Sequence, residues 1–364
     1  WVSVLPRWRC ASFGVSSDTN GFLSRSAPVA CTSPSHRDRK RPVGAFGSQP
    51  PVTQMTLPEE PSSPPEEGSR IAGFYRLSVA ERQARIAARA GLDVAELREA
   101  VAEGGLDAAT ADKVVENVLG TYALPFGVAL NFRINGNDRL VPMVVEEPSV
   151  IAAASNAAKM VRAAGGFSAE MVESWMTTQV QVYGVSDPAR AIGRLEAHTA
   201  ELLELGTRAV PNLVERGGGP RAVEIRDLGQ GSLVVHVHVD CRDAMGANLV
   251  NTIAEAIGPR VAELSQGSLG LRILTNLCDR RRVKVTCRVH ARDLALRPGP
   301  DGQNGTPSGS EIVDLIVEAS RFAELDPYRA ATHNKGIMNG VDAVVLATGN
   351  DFRAVEAGAH AYAA

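Results

Sequence analysis

From Ser78 to Ala90 the apolar residues recur at helical spacing, and Ser78 is followed three positions on by Glu81. That pairing predicts a capping box, in which a serine hydroxyl and a glutamate carboxylate each take a backbone N–H of the first turn. The helical pattern continues over Val94–Ala102 and Ala108–Val118. The period then changes. Residues 128–134 and Leu140–Val145 are apolar-rich runs flanking Asn135-Gly136-Asn137-Asp138. Asn and Gly both tolerate positive φ, so this pattern predicts a β-hairpin. After Glu146-Glu147-Pro148, residues Ser149–Val161 read as a helix rich in Ala and Ser, whose small side chains let a neighbour pack closely on its backbone.

A second pattern occupies residues 177–276. Thr178–Tyr183 reads as a strand, Pro188–Leu205 as a helix, and Val223–Arg226 with Ser232–Asp240 as two strands across Leu228-Gly229-Gln230-Gly231. Ala247–Leu264 follows as a helix and Leu269–Thr275 as a last strand. The order β-α-β-β-α-β is that of a ferredoxin-like unit, and its length suits a small domain inserted in a larger one. The expected fold class is therefore α+β, with a large mixed domain in two parts, 71–176 and 277–364, around a small domain at 177–276. In the last part, Val283–His290 alternates as a strand and Arg297–Ser310 is a Gly- and Pro-rich loop. Glu311–Leu325 reads as a helix ended by Asp326-Pro327. Lys335–Asp351 is expected to hold loop residues, a buried strand at Val341–Ala347 and the turn Thr348-Gly349-Asn350, and Glu356–Ala363 a small-residue helix.

Residues 1–70 stand apart. Ser, Pro and Arg dominate the first 54 without periodicity, the first methionine is Met55, and residues 56–70 are too rich in Pro and Glu to pack. The leader is either an acid-poor targeting peptide or sequence upstream of a natural start at Met55, and the absence of an initiating Met favours the second. The net charge of −3 gives no reason to expect nucleic acid or an anionic membrane as partner. No run approaches the ~18 apolar residues of a membrane span. The five cysteines show no metal-ligand spacing, so no metal is expected and reduced thiols in the cytoplasm are the simplest reading.

Three places carry candidate chemistry. Glu116 lies between Val114-Val115 and Val118-Leu119, and an apolar setting would raise its pKa by penalising the charged form. Asp243-Ala244-Met245-Gly246-Ala247-Asn248 joins a strand to a helix, with Gly246 just before the helical pattern. Free N–H groups at a helix N-terminus attract phosphate, although Asp243 or Asn248 acting as an ordinary cap explains the same residues. Lys335 is expected in a loop, where a partly buried ammonium can stabilise a developing oxyanion. A lone lysine is more commonly a solvated charge. Asp351 after the Thr348 turn is placed to pair with Lys335, or simply to form an Asx turn.

Glu116–Phe132 (ENVLGTYALPFGVALNF), Val141–Lys159 (VPMVVEEPSVIAAASNAAK), Asp243–Asn248 (DAMGAN), Thr332–Gly340 (THNKGIMNG) and Thr348–Ala363 (TGNDFRAVEAGAHAYA) occur in an order that resembles the class II hydroxymethylglutaryl-CoA reductases. The resemblance runs from about Gly73 to the last residue. It implies a large acyl-CoA-binding domain and a small dinucleotide-binding domain. The implied reaction is a four-electron reduction of the hydroxymethylglutaryl-CoA thioester to mevalonate and coenzyme A with NAD(H) or NADP(H), or its reverse. It further implies that Lys335 polarises the carbonyl, with Glu116 and Asp351 clustered around it and Glu116 exchanging the proton. Residues 243–248 would bind the dinucleotide, and Arg329, Asn339 and Asn276 would contact substrate or support the lysine. Arg76 is a weaker match to a basic contact near the family's N-terminus. The family also has a late histidine that protonates the CoA thiolate and a glycine-rich segment, both of which fall beyond Ala364. The expected assembly is a homodimer with a shared site. A catalytically silent homologue that binds dinucleotide or CoA, or associates with intact subunits, is the alternative.

Overall fold

The computed structural model describes residues 68–294 and 307–363. The leader with Met55, and residues 297–306 of the expected loop, lie outside the described residues. The chain opens with a 3-10 turn at Phe74–Arg76 and three helices, α1 (Val79–Ala90), α2 (Val94–Val101) and α3 (Ala108–Val114). The Ser78/Glu81 capping box forms as expected. α3 is shorter than its apolar pattern: it stops at Val114, Asn117 turns left-handed at φ 57°, and Glu116 falls in the turn beyond.

The hairpin comprises β1 (Phe126–Ile134) and β2 (Asn137–Val144), antiparallel. Its two-residue turn has φ 50° at Asn135 and 78° at Gly136, the backbone that Asn-Gly favours. α4 (Val150–Ala163) lies on β1 and α11 (Pro327–Ala347) on β2, around Ala129, Met143 and Ala343. The small side chains of α4 permit a direct tie to the strand. Where the register shifts between Ala129 and Phe132, the Leu130 amide donates to Ser155 Oγ at 3.0 Å and Asn131 Nδ2 donates to the Ser155 carbonyl at 3.0 Å.

β3 (Ser168–Tyr183) is 16 residues long and serves two pairings. Its first half runs antiparallel to β7 (Arg281–Thr286), and its second half lies between β5 (Ser232–Asp240) and β6 (Ser268–Leu274). β4 (Gly219–Gly229) completes the order β4-β5-β3-β6. Numbered within the unit, that is strand order 2-3-1-4, the ferredoxin-like arrangement the sequence predicts. Helices α5 (Pro188–Ala197), α6 (Thr199–Ala209), the short α7 (Pro211–Glu215) and α8 (Ala247–Ser265) lie between these strands in sequence. The expected single helix over Pro188–Leu205 is thus interrupted at His198, which ends α5 and opens α6. α5, α6 and α8 bury Leu195, Leu202, Ile253 and Ile257 against Leu233, Val235, Val237 and Val239, the alternate residues of β5. The intervening His236 and His238 are also buried and meet Gln179 (2.9 Å) and Thr177 (2.8 Å). Burial lowers the pKa of both rings.

The last part departs furthest from expectation. β7 ends at Thr286, short of His290, and α9 (Ala291–Leu294) follows. Ser308 caps α10 (Gly309–Leu325) in a second capping box with Glu311. The expected loop and strand over Lys335–Ala347 are instead part of one 21-residue helix, α11. Asp326 does not merely end α10; its carboxylate accepts the Arg329 amide at 3.0 Å, and Pro327 occupies the first helical position that suits its fixed φ. The run Val341–Ala347 is too short for periodicity to distinguish a buried strand from a helix. α12 (Phe352–Ala363) follows the Thr348-Gly349-Asn350 turn.

One ion pair ties the hairpin to α4 and to the start of the described chain. Arg162 donates to Asp138 through both terminal nitrogens (2.6 and 3.0 Å), and the Ser69 amide donates to the same carboxylate at 3.0 Å. The Arg162 guanidinium holds the Asp138 carboxyl below its usual 3.8. A depressed folded-state pKa gives stability that is complete above the unfolded value and is lost as pH falls through the folded one. Asp138→Asn should therefore lower stability by about 1–3 kcal/mol at pH 6–7. Denaturant melts should show that gap closing below about pH 4. A gap that stays constant down to pH 2 would mean that the pair contributes nothing through charge.

Candidate functional site

α11 places Lys335 and Asn339, one turn apart, on a shared face. That face meets Glu147, the second carboxylate of Glu146-Glu147-Pro148 at the mouth of α4. Lys335 Nζ donates to Glu147 Oε2, and Asn339 Nδ2 reaches the same oxygen at 3.4 Å. The side chains of Lys335 and Glu147 remain 61% and 43% exposed, so this is an open pair held weakly against water. Lys335 is therefore neither in a loop nor buried, contrary to the sequence expectation.

Glu147 also lines a cleft of about 1100 Å³. One wall is α4 and its approach, including Ser149, Ala152 and Asn156; the other comes from α1 and the preceding turn, including Phe74, Arg82 and Ile86. Arg70, Arg82 and Lys159 bring positive charge, and Glu146 with Glu147 negative charge, to an otherwise largely apolar lining. The small residues of α4 leave this space open. The Ala- and Ser-rich pattern with two carboxylates at its head was the signal in the sequence, but nothing there pointed to Glu147 as the partner of Lys335.

The other expected members of the cluster stand apart. Glu116 is exposed, and so are Val114 (69%), Val115 (57%) and Leu119 (104%), so the apolar setting expected around it is not formed among the described residues. Asp351 accepts the Ala354 amide at 3.1 Å and caps α12; no ion pair joins it to Lys335 among the described residues. Arg329 sits half-buried in the first turn of α11. Asn276 is exposed after β6, with its carbonyl against Gly358 of α12. Arg76 is exposed in the 3-10 turn, its Nε donating to the Tyr75 hydroxyl at 3.1 Å.

Residues 243–248 form the turn from β5 into α8. Gly246, at φ 97°, is the N-cap and supplies no side chain to the free amides of the first turn. Neither Asp243 nor Asn248 caps the helix, which disposes of the simpler explanation of these residues. A β-carbon at Gly246 would lie 2.5 Å from Met176 Sδ and 2.7 Å from Cys241 Sγ, so both conformation and space require glycine. The result is a 19-residue helix whose bare N-terminus opens beside an exposed loop at 242–245, an arrangement that suits a phosphate. Among the described residues, no three His, Cys, Asp or Glu side chains come together to hold a metal ion. Nor is any described helix long and apolar enough to cross a membrane.

The family model for hydroxymethylglutaryl-coenzyme A reductase matches residues 78–364. The chain belongs to this family. It is 46% identical over 299 residues to the 3-hydroxy-3-methylglutaryl-coenzyme A reductase of Archaeoglobus fulgidus, covering 81% of this chain and 65% of that one. It is 33% identical to a probable reductase of Borreliella burgdorferi, over 69% of this chain and 56% of that one. The chain thus spans less than two thirds of the length of these reductases. A class II reductase from Streptococcus pneumoniae, solved with NADPH bound in open conformations, is 44% identical, with a TM-score of 0.74 over 80% of this chain and 78% of its own. The α+β fold is that of the class II reductases.

The cysteines of this reductase-family chain differ sharply in setting. Cys241, beneath Gly246, is buried, and burial pushes its thiol up to about 11; Cys287 is exposed. Thiolate is the reactive form. Alkylation at pH 8 followed by peptide mass mapping should label Cys287 well before Cys241, which should react only on unfolding. Equal labelling in the native protein would contradict the packing described for the turn.

Proposed function

We propose that this chain carries the dinucleotide-dependent reduction of the hydroxymethylglutaryl-CoA thioester to mevalonate and free coenzyme A, or the reverse oxidation. The observation that carries the reading is the Lys335 ammonium at Glu147, a lining residue of the cleft beside α4. A partly apolar cleft with Arg82 and Lys159 on its walls suits a pantetheine arm and its phosphates. An ammonium at Glu147 would then face the thioester carbonyl, while Asn339 steadies the same carboxylate.

Two molecules of NADH or NADPH, bound in succession, would supply the two hydrides that conversion of a thioester to an alcohol consumes, one each. The bare α8 N-terminus and the forced glycine at 246 fit the dinucleotide pyrophosphate, and Asp243, Ala244, Met245, Ala247 and Asn248 would complete that contact. In the first reduction Lys335 would hold the negative oxygen of the hemithioacetal formed at the thioester carbon. Its collapse breaks the C–S bond, giving mevaldehyde and the coenzyme A thiolate, which takes up a proton. In the second reduction the aldehyde oxygen, again held by Lys335, takes a proton from Glu116 to leave the alcohol. Arg329 offers a planar fork for the substrate carboxylate, and Asn276 a further contact.

Glu116 and Asp351 stand away from Lys335 within one chain. We read the exposed apolar residues around Glu116 as the face on which a second copy docks, so that a homodimer completes the site. We also read 177–276 as the small dinucleotide domain, inserted between 71–176 and 277–364 of the acyl-CoA domain. Two separate hydrophobic clusters support that division, one within the β4-β5-β3-β6 sheet and its helices and one around the hairpin. The setting would be cytoplasmic.

Oxidation of mevalonate in the presence of coenzyme A, followed at the nicotinamide absorbance with NAD and NADP in turn, tests the reading. Turnover by this chain and a loss of ~10²–10³-fold in Lys335→Met would support it. Full activity in Lys335→Met would overturn the assignment of the lysine. A chain that binds dinucleotide and coenzyme A without turning over is the silent homologue instead.

A further inference from the structure

Three consecutive arginines, Arg280 in the turn before β7 and Arg281 and Arg282 at its start, go three ways. Arg280 meets Glu224 at 3.5 Å, and Arg282 donates to the Tyr362 hydroxyl on α12 at 3.1 Å. Arg281 turns to the loop before α8. Its two terminal nitrogens donate separately, one to the Met245 carbonyl at 3.1 Å and the other to the Ala244 carbonyl at 3.2 Å.

The loop is fastened at its start by Arg242, whose amide donates to Asp240 Oδ1 at 3.0 Å and whose guanidinium donates to the Gly217 carbonyl; beyond Arg242 the contacts thin out. Residues 242–245 are exposed, Arg242 lies in the left-handed region at φ 53°, and Gly246 is left-handed as well. The Ala244 amide bonds back to the Cys241 carbonyl at 3.1 Å, a single turn contact. In extended backbone, successive carbonyls point to opposite sides. One guanidinium can grip both only because the chain is folded here, and its grip in turn opposes unfolding. There is an electrostatic side too. Two unpaired carbonyl oxygens beside a helix N-terminus would repel the anion its amides attract, and a guanidinium across both oxygens offsets that repulsion. The same charge reaches inward, where it acts on the thiols of buried Cys241 and half-buried Cys278 against the effect of burial.

We propose that Arg281 is the positioning residue for the dinucleotide: it clamps the Ala244 and Met245 carbonyls and so fixes the turn that presents the α8 N-terminus to the pyrophosphate. This rests on the dinucleotide reading of residues 243–248. Because Arg281 also pairs with Ser174 across β3 and β7, the clamp fastens the turn to the strand that leaves the ferredoxin-like sheet.

The test is binding, read by nicotinamide fluorescence with NADH and NADPH separately and by calorimetry with coenzyme A, on the full chain. Two charge-assisted hydrogen bonds are lost in Arg281→Met, so the dinucleotide Kd should rise about tenfold or more while coenzyme A binding and the thermal midpoint hold. Arg281→Lys keeps the charge without the fork and should fall between the two, and millimolar ethylguanidinium should restore part of the affinity of Arg281→Met. A merely structural arginine would move the melting point and both ligands together. Should Arg281→Met prove unstable, Arg281→Lys with unaltered dinucleotide affinity would itself overturn the proposal. Asn248→Asp separates the two layers of argument. A carboxylate in the first turn of α8 favours the helix but repels pyrophosphate. If Asn248→Asp loses dinucleotide while Arg281→Met binds normally, the clamp is wrong and the site stands. If Asn248→Asp binds normally, the site itself is wrong and the clamp falls with it.

Discussion

The position of the turn before α8 hangs on the continuity of β3. A strand that pairs with β7 along one half and with β5 and β6 along the other cannot bend freely between them, because backbone hydrogen bonds hold both halves. The turn before α8 and the segment returning from β6 meet at this junction. Trp175 donates its amide to the Arg280 carbonyl at 2.9 Å there, one residue from the arginine that grips the turn. The Val-rich strands and α8 give the ferredoxin-like unit its own buried core, so the strand transmits position instead of depending on a shared interior.

How much of this the sequence made legible depends on how local each signal is. The Ser78/Glu81 box, the Asn135-Gly136 turn and the alternation of Ser232–Asp240 are decided within a few residues, and each element forms where the pattern places it. The strand order follows because the β-α-β-β-α-β sequence with antiparallel neighbours leaves few topologies. The first half of β3 escaped notice for the opposite reason. Ser168–Trp175 carries Glu170, Glu173 and exposed Met171 in a narrow ribbon, and a strand with little buried face shows no period to read. α11 is hidden in the pattern because β-branched Val341, Val344 and Val345 mimic a strand, and because Asp326-Pro327, which stops one helix, also starts the next.

The site was less legible than the fold, since it is assembled from residues far apart in sequence. Lys335 and Glu147 meet only because α11 and α4 flank the same hairpin, a fact of tertiary packing that no local pattern encodes. Gly246 is the exception: a glycine just ahead of a helical pattern is a local signal, and its conformation agrees with it. The motif resemblance supplied the roles of Glu116 and Asp351, but neither residue is drawn to Lys335 by the contacts of a single chain.

Glu116 and its apolar neighbours form one physical question. Val114, Val115 and Leu119 face water together with the carboxyl they flank. Whatever covers them removes water from Glu116 as well. The exposed apolar face and the carboxyl beside it therefore change setting together: a surface that buries the valines would also desolvate Glu116. The open Lys335–Glu147 pair has the matching property. An exposed ion pair contributes little, at most about 1 kcal/mol, so the lysine can leave Glu147 at small cost.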